Sequence, residues 1–406
     1  MKLTLNINKI LQYFLIIALY YVTGGAFSYT NYSLQITLLF FVSFILCIFF
    51  QKKYFLKKTP FFVWVYMCIF LLFVPIIFND SIPTYVAIML QLAIGAFCAS
   101  FIPVEEFIKK YINVIVIFAL ISLIGYTLSL IRPSIALLFP VTIGDASVDY
   151  YNAGVYVFMS AKGFGELSIM TRNAGICWEP GCYQCFLNIG LFFLLERKDL
   201  FEKKYYYLKF SILVLTILTT ISTTGILIMV ILLLIYYKKW VISLNFKSYL
   251  IIFALIGVAI FMFNYTNLGD FFQDKINREF GNEGTFLERI SLSKIQYIVS
   301  ENGIPYFFGM SFSKWITFDE SMWNSIIHSF LCLGFPFTII QLIGYWRGCH
   351  VLSKKWWVLF FIMILCASTE TLFWRVFFNT FAFYGWIYYK NKRGCVNEKC
   401  SFDNCP

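Results

Sequence analysis

Long apolar runs alternate with short polar breaks along nearly the whole chain. A run of roughly 17–25 apolar residues is enough for a helix to cross the hydrocarbon core of a bilayer. Such runs fall near 10–26, 33–50, 60–78, 85–102, 112–131, 178–195, 206–221, 224–240, 248–264, 324–345, 356–371 and 375–389. The pattern predicts an all-α polytopic membrane protein with about 12 transmembrane helices. Two polar stretches, 132–173 and 264–322, are too long to be plain connectors. The second holds a helical pattern over 286–300, with Leu292, Ile295 and Val299 on one face and Arg289, Ser293, Gln296 and Ser300 on an adjacent one. Such a helix is expected to lie along the outer membrane surface.

Charge sets the orientation. With the N-terminus in the cytoplasm, the inner segments are 2–9, 51–58, 105–111, 196–209, 238–247, 347–355 and 390 onward, and they hold 23 of the 32 Lys and Arg residues. The outer segments hold nine, spread over much greater length. That bias is what the positive-inside rule requires. It also divides 206–240 and 356–389 into hairpins, since each stretch begins and ends at a basic cluster. Both termini are then cytoplasmic, with a membrane domain over 1–394 and a tail over 395–406. The stretch Gly24-Gly25-Ala26 is a poor cleavage signal and eleven further spans follow it, so the first run is expected to remain a span.

Composition agrees. The chain is 60% hydrophobic and 13% charged, against about 25% charged in ordinary soluble domains. The net charge of +11 would suggest nucleic acid in a soluble protein, but here it lies between apolar runs and serves orientation. Most of the 12 cysteines fall inside spans or in the tail, and the two long polar stretches contain none, which argues against a disulfide framework.

Few residues carry obvious chemistry. Arg172-Asn173-Ala174-Gly175-Ile176-Cys177-Trp178-Glu179-Pro180-Gly181 leads into the sixth span and sets an arginine and a glutamate at the outer boundary. Pro180 and Gly181 break helix there, and a charged residue at such a place is a functional candidate. The plainer alternative is that Glu179 pairs with Arg172 or caps the span. In the late loop Arg289, with Arg278 and Lys294 nearby, offers guanidinium groups suited to phosphate; for Arg278 and Lys294 a solvated face explains them as well. His328, in the run beginning at Asn324, is either a base or a core residue. Ser222-Thr223-Thr224-Gly225 and the Glu370…Arg375 pair mark two hairpin tips. No phosphate-binding loop and no metal-ligand spacing occurs, so a reaction here would use an activated substrate and fixed cations.

At these segments the chain resembles the repeat-unit polymerases of O-antigen and capsule synthesis, within the O-antigen ligase/polymerase superfamily. The matching features are R-x2-G-x3-E-P at 172–180, S-x-T-G at 222–225, the Arg289 loop ending in Gly309, and Asn324 with Gly334. Their order fits over roughly 100–345. Neither Arg172 nor Arg289 is followed by the glycine of the paired R-x10-G loop motif, and Trp323 stands where the ligases have histidine. The catalytic base is thus unassigned.

The resemblance implies a GT-C-like, metal-independent glycosyltransferase of the bacterial cytoplasmic membrane, without cofactor. Its substrate would be an oligosaccharide on undecaprenyl diphosphate, and its associates membrane lipid and the flippase and chain-length regulator of the same pathway. Arg172 and Arg289 would stabilise the departing diphosphate, and Glu179 would orient an arginine or accept a proton. Asn324, His328, Arg278 and Ser222 would contact substrate. Ligase and lipid-linked oligosaccharide flippase are the alternatives.

Overall fold

The computed structural model describes residues 7–26, 33–51, 58–142, 148–161, 168–169, 172–242, 307–313 and 324–397. Among them, helices α1 (Ile7–Gly24), α2 (Ser33–Gln51), α3 (Lys58–Phe78), α4 (Ile82–Phe101) and α5 (Val104–Ile131) come before a small sheet. After it come α6 (Pro180–Glu196), α7 (Lys203–Thr219), α8 (Thr223–Ile242), α9 (Ser325–Leu333), α10 (Phe335–Leu352), α11 (Trp356–Thr369) and α12 (Val376–Asn397). Each apolar run expected from the sequence coincides with helix, apart from 248–264, which lies outside the described residues. Each of the stretches 206–240 and 356–389 divides into two helices joined by a short turn, α7 with α8 and α11 with α12. Helix α12 continues to Asn397, past the boundary expected at 394.

Among the described residues three helices, α3, α4 and α5, are long and apolar enough to cross a membrane. Helix α3 is apolar all round, and Phe62 and Ile76 are 67% and 74% exposed. Such a surface is stable facing lipid and unstable facing water. Helix α6 is the opposite case, buried along its whole length from Pro180 to Leu195. Its polar side chains bond within the bundle: Asn188 Nδ2 donates to Gln184 Oε1 at 2.9 Å and to the Gly225 carbonyl of α8 at 3.1 Å. Between α8 and α11 runs an apolar crevice of about 430 Å³, lined by Ile228, Leu232, Ile235, Trp357, Phe361 and Ile364.

Helices α10 and α12 touch backbone to backbone. A Cβ built on Gly385 would lie 2.5 Å from Gly348 N, and one on Gly344 would lie 2.7 Å from Ala382 Cβ. On the other side of α12, Gly95 of α4 admits Asn379 and Thr380 at 3.2 Å. Small residues permit this approach, which is how apolar helices gain packing contact where hydrophobic burial offers little.

The helix ends gather into two groups. At one end Arg197 pairs with Glu105 and Asp199, both at 3.1 Å. There Glu196 Oε1 accepts from Lys354 N and Lys355 N at 2.7 and 3.0 Å. The opposite end joins α1 to the stretch before α6: Gly25 bridges to Cys177, and Ala26 N donates to the Ile176 carbonyl at 3.0 Å.

Two features depart from the sequence reading. The first outer stretch, expected as loop in an all-α protein, contains a four-stranded antiparallel meander: β1 (Val141–Thr142), β2 (Val148–Asn152), β3 (Val157–Ala161) and β4 (Ser168–Ile169), in the order β1-β2-β3-β4. The β2–β3 turn is closed by Gly154 N donating to Asn152 Oδ1 at 2.8 Å. The sheet rests on the end of α5, where a Cβ on Gly125 would strike the Tyr156 ring at 2.6 Å. Secondly, the run 324–345 is not one helix. Gly334, at φ +86°, separates α9 from α10, and a Cβ there would meet the Phe308 carbonyl carbon at 2.8 Å. Across this break Met310 N donates to the Leu331 carbonyl at 2.7 Å, stitching 307–313 onto α9.

Candidate functional site

The stretch from 172 to 180 is organised by Asn173, whose side chain is fully buried. Its Oδ1 accepts from Gly175 N at 2.9 Å, closing an Asx turn that Gly175 completes at φ +57°. Its Nδ2 donates to Thr219 Oγ1 at 3.0 Å and to Ser122 Oγ at 3.2 Å. One side chain thereby ties the stretch to α5 and α7. Tyr183 of α6 donates to the same Ser122 hydroxyl at 3.0 Å. The sequence signal was Asn-Ala-Gly, two residues of the right type at Asx-turn spacing, beside an arginine that drew the attention instead.

Arg172 is half-buried, and its Nε donates to the Thr220 carbonyl at the α7–α8 tip, 3.3 Å away. Glu179 occupies the N-cap position of α6 in extended conformation but makes no side-chain cap bond. No ion pair joins it to Arg172 among the described residues. Neither plain alternative for Glu179 therefore accounts for its placement. Pro180 opens the helix where its missing N–H costs nothing. A Cβ built on Gly181 would stand 2.8 Å from Glu179 Oε1 and 3.0 Å from Glu370 Cδ. Glu370, from the turn between α11 and α12, is thus packed beside Glu179 over Gly181, and it is 4% exposed. From the same turn Arg375 lies over the Trp178 ring, its guanidinium carbon 5.6 Å from the centroid. Contacts of this kind between an arginine and an indole are attractive and orient the guanidinium.

The candidates read as hydroxyl and amide ligands serve helix ends. Ser222 Oγ accepts from Gly225 N at 3.4 Å at the start of α8. Asn324 Oδ1 accepts from Ile326 N and Ile327 N at 3.1 and 3.3 Å, the N-cap of α9. His328, one turn on, lies half-buried between the rings of Trp374 and Phe312, at centroid distances of 5.0 and 5.4 Å. Ser325, which the sequence did not single out, donates to the Ala367 carbonyl at 2.6 Å and accepts from Phe373 N at 3.1 Å. It fixes α9 to both sides of the Glu370 turn. Arg278 and Arg289 lie outside the described residues.

Asp80, also missed, holds the segment 307–313. It accepts from Ser81 N at 2.6 Å, Tyr85 hydroxyl at 2.7 Å, Phe312 N at 3.0 Å and Ser313 N at 3.3 Å, and from the Ser313 hydroxyl. Burial opposes its ionisation, but these hydrogen bonds outweigh it and bring the carboxyl down to about 2.

One end of the helix bundle thus assembles two carboxyl groups, Glu179 and Glu370, and two guanidinium groups, Arg172 and Arg375, from two separate connections of the chain. Guanidinium groups bind phosphate oxygens, and a carboxylate accepts a proton. Comparison with family models, with curated proteins and with solved structures finds no match to this chain.

Proposed function

We propose that this chain is a membrane glycosyltransferase that polymerises oligosaccharide repeat units carried on undecaprenyl diphosphate, at the outer face of a bacterial cytoplasmic membrane. In this reading the chain crosses the bilayer about a dozen times with both ends inside. The observation that carries it is the convergence of Arg172, Glu179, Glu370 and Arg375 at the end of the bundle that is poor in lysine. The opposite end, with Arg197, Lys198, Lys354 and Lys355, has the basic character of a cytoplasmic face.

Transfer of a growing glycan breaks the bond between its anomeric carbon and the diphosphate, and negative charge develops on the leaving oxygen. In this reading Arg172, held by Thr220, stabilises that charge without a proton transfer of its own. The acceptor hydroxyl gives its proton to Glu179. The α8–α11 crevice is apolar enough to receive an isoprenoid tail.

Purified protein supplied with lipid-linked repeat units should yield a ladder of lengthening glycans. Arg172→Ala should lower the rate by at least about 100-fold, the usual cost of deleting one charge-stabilising donor, with protein present in normal amount. Unchanged long chains in that variant would remove Arg172 from the mechanism. A deletion strain that accumulates finished polymer on the carrier would favour a ligase, and translocation of intact units without bond formation a flippase.

A further inference from the structure

The apolar crevice between α8 and α11 ends on charge. Its walls run from Ile228 and Ile364 to Ile235 and Trp357, seven residue steps on either helix. Seven steps rise about 10 Å, which fits within the depth of one membrane leaflet, about 15 Å. Trp357 and Phe361 are 54% and 47% exposed, so the crevice is open along its side. Immediately past Ile235 and Trp357, Lys355 Nζ lies 3.7 Å from the centroid of the Tyr236 ring. Lys198, from the turn after α6, sets its Nζ 4.8 Å from the Tyr237 ring and 5.6 Å from the Tyr206 ring. The two ammonium groups are near enough to repel. Burial lowers the Lys355 ammonium from the ordinary lysine range, Glu196 works against that, and Lys198 adds to it. Glu196 Oε1 is taken up by the Lys354 and Lys355 amides at 2.7 and 3.0 Å. Among the described residues neither Lys198 nor Lys355 forms an ion pair. Their partners are aromatic faces. The Tyr236 hydroxyl, shielded from solvent, makes no hydrogen bond among the described residues either.

We propose that the crevice binds an anionic phospholipid from the leaflet on the lysine-rich side, one acyl chain between α8 and α11 and the phosphate held by Lys198 and Lys355. In the orientation given above, that leaflet is the cytoplasmic one. The fit is chemical at both ends. A basic pocket between membrane helices suits an anionic headgroup, and lysine stems lie along apolar surface while the ammonium reaches headgroup level. A zwitterionic lipid would bring its own cation against the two lysines. The site does not depend on the glycosyl-transfer reading. A carrier tail drawn into the same crevice would have to displace the acyl chain.

Trp357 lines the crevice and reports on it. The purified protein is placed in phosphatidylcholine vesicles carrying equal shares of either bromine-labelled phosphatidylglycerol or bromine-labelled phosphatidylcholine. Tryptophan fluorescence is read with Trp357→Phe as the blank. The quenching that depends on Trp357 should favour the phosphatidylglycerol label. Lys198→Gln or Lys355→Gln alone should cut that preference about fivefold, and the two together about 25-fold, the usual weight of one and two basic residues at a membrane surface. Lys355→Arg should keep it. Equal quenching by the two labels in the parent overturns the proposal. So does a preference that survives the double substitution, or one that Trp357→Phe leaves unchanged. If polyprenyl phosphate relieves both labels alike and no headgroup preference is seen, the crevice belongs to the carrier and the phospholipid site falls. A preparation that shows the preference and its loss, yet transfers no sugar, keeps the lipid site and discards the transferase reading.

Discussion

Asn173→Ala tests whether the stretch bearing Arg172 and Glu179 is held as described. The substitution removes three side-chain hydrogen bonds, to Gly175 N, Thr219 Oγ1 and Ser122 Oγ. Ser122 and Thr219 keep other partners, since Ser122 donates to the Ala119 carbonyl at 2.9 Å and Thr219 to the Thr216 carbonyl at 2.8 Å. The buried Gly175 amide loses the acceptor that closes its turn. At about 1 kcal/mol for each lost bond, with the stranded amide at the upper end, the cost is about 3 kcal/mol. Unfolding entropy of about 2 cal/mol/K per residue over 406 residues turns this into a fall in melting temperature of about 3–4 °C. The assay is thermal unfolding in detergent micelles, with Thr127→Ala as control. Thr127 makes one bond, to the Leu123 carbonyl, on the exposed side of α5, and its loss should not register. Combining Asn173→Ala with Ser122→Ala should cost less than the sum by about 1 kcal/mol, since both act on one network. A melting temperature unchanged in Asn173→Ala, or strict additivity of the pair, would refute the account.

Two further predictions concern other elements. Asp80 has its folded carboxyl at about 2 against an ordinary 3.8, so its stabilisation is complete above the ordinary value and drains away as pH falls from about 4 toward 2. The contribution is about 1 kcal/mol once solvent screening of a half-exposed group is allowed for, and Asp80→Ala should flatten the dependence of melting temperature on pH in that window. Gly348→Ala places a methyl against the Phe381 carbonyl of α12, forces the two helices apart and should cost about 1–3 kcal/mol, read as a lower melting temperature. A fully retained melting temperature would show that α10 and α12 do not cross this closely.

Among the described residues hydropathy alone recovered where helices run, because those apolar runs are long and their flanks are basic or broken by Gly and Pro. It could not see the break at Gly334, where Leu331-Cys332-Leu333 and Phe335-Pro336-Phe337 read as one apolar run. The interruption comes from a positive φ and from chain 307–313 pressing on the backbone. The sheet at 141–169 had a local signal in Val148-Asp149-Tyr150-Tyr151 and Val157-Phe158-Met159, β-branched and aromatic residues around Gly154. That signal was overlooked because the surrounding polarity suggested loop. At the site, Arg172 and Glu179 stood out as charges at the edge of an apolar run, and Glu179 is the N-cap residue of α6. Ser222 and Asn324 both spend side-chain atoms on helix starts. The approach of Glu370 to Glu179 was not legible at all, since it depends on how α6 and α11 pack and on a glycine whose importance is the atom it lacks.

The glycine contact between α10 and α12 also limits the routes open to a lipid. Main chain lies against main chain there, and no slot as wide as a methylene chain remains. On its other flank α12 is closed again by Gly95 of α4. Under the proposed function, an isoprenoid tail could not pass between α12 and either neighbour where these glycines lie. The proposed function leaves the tail the apolar α8–α11 crevice, whose width would then limit how thick a carrier the protein accepts.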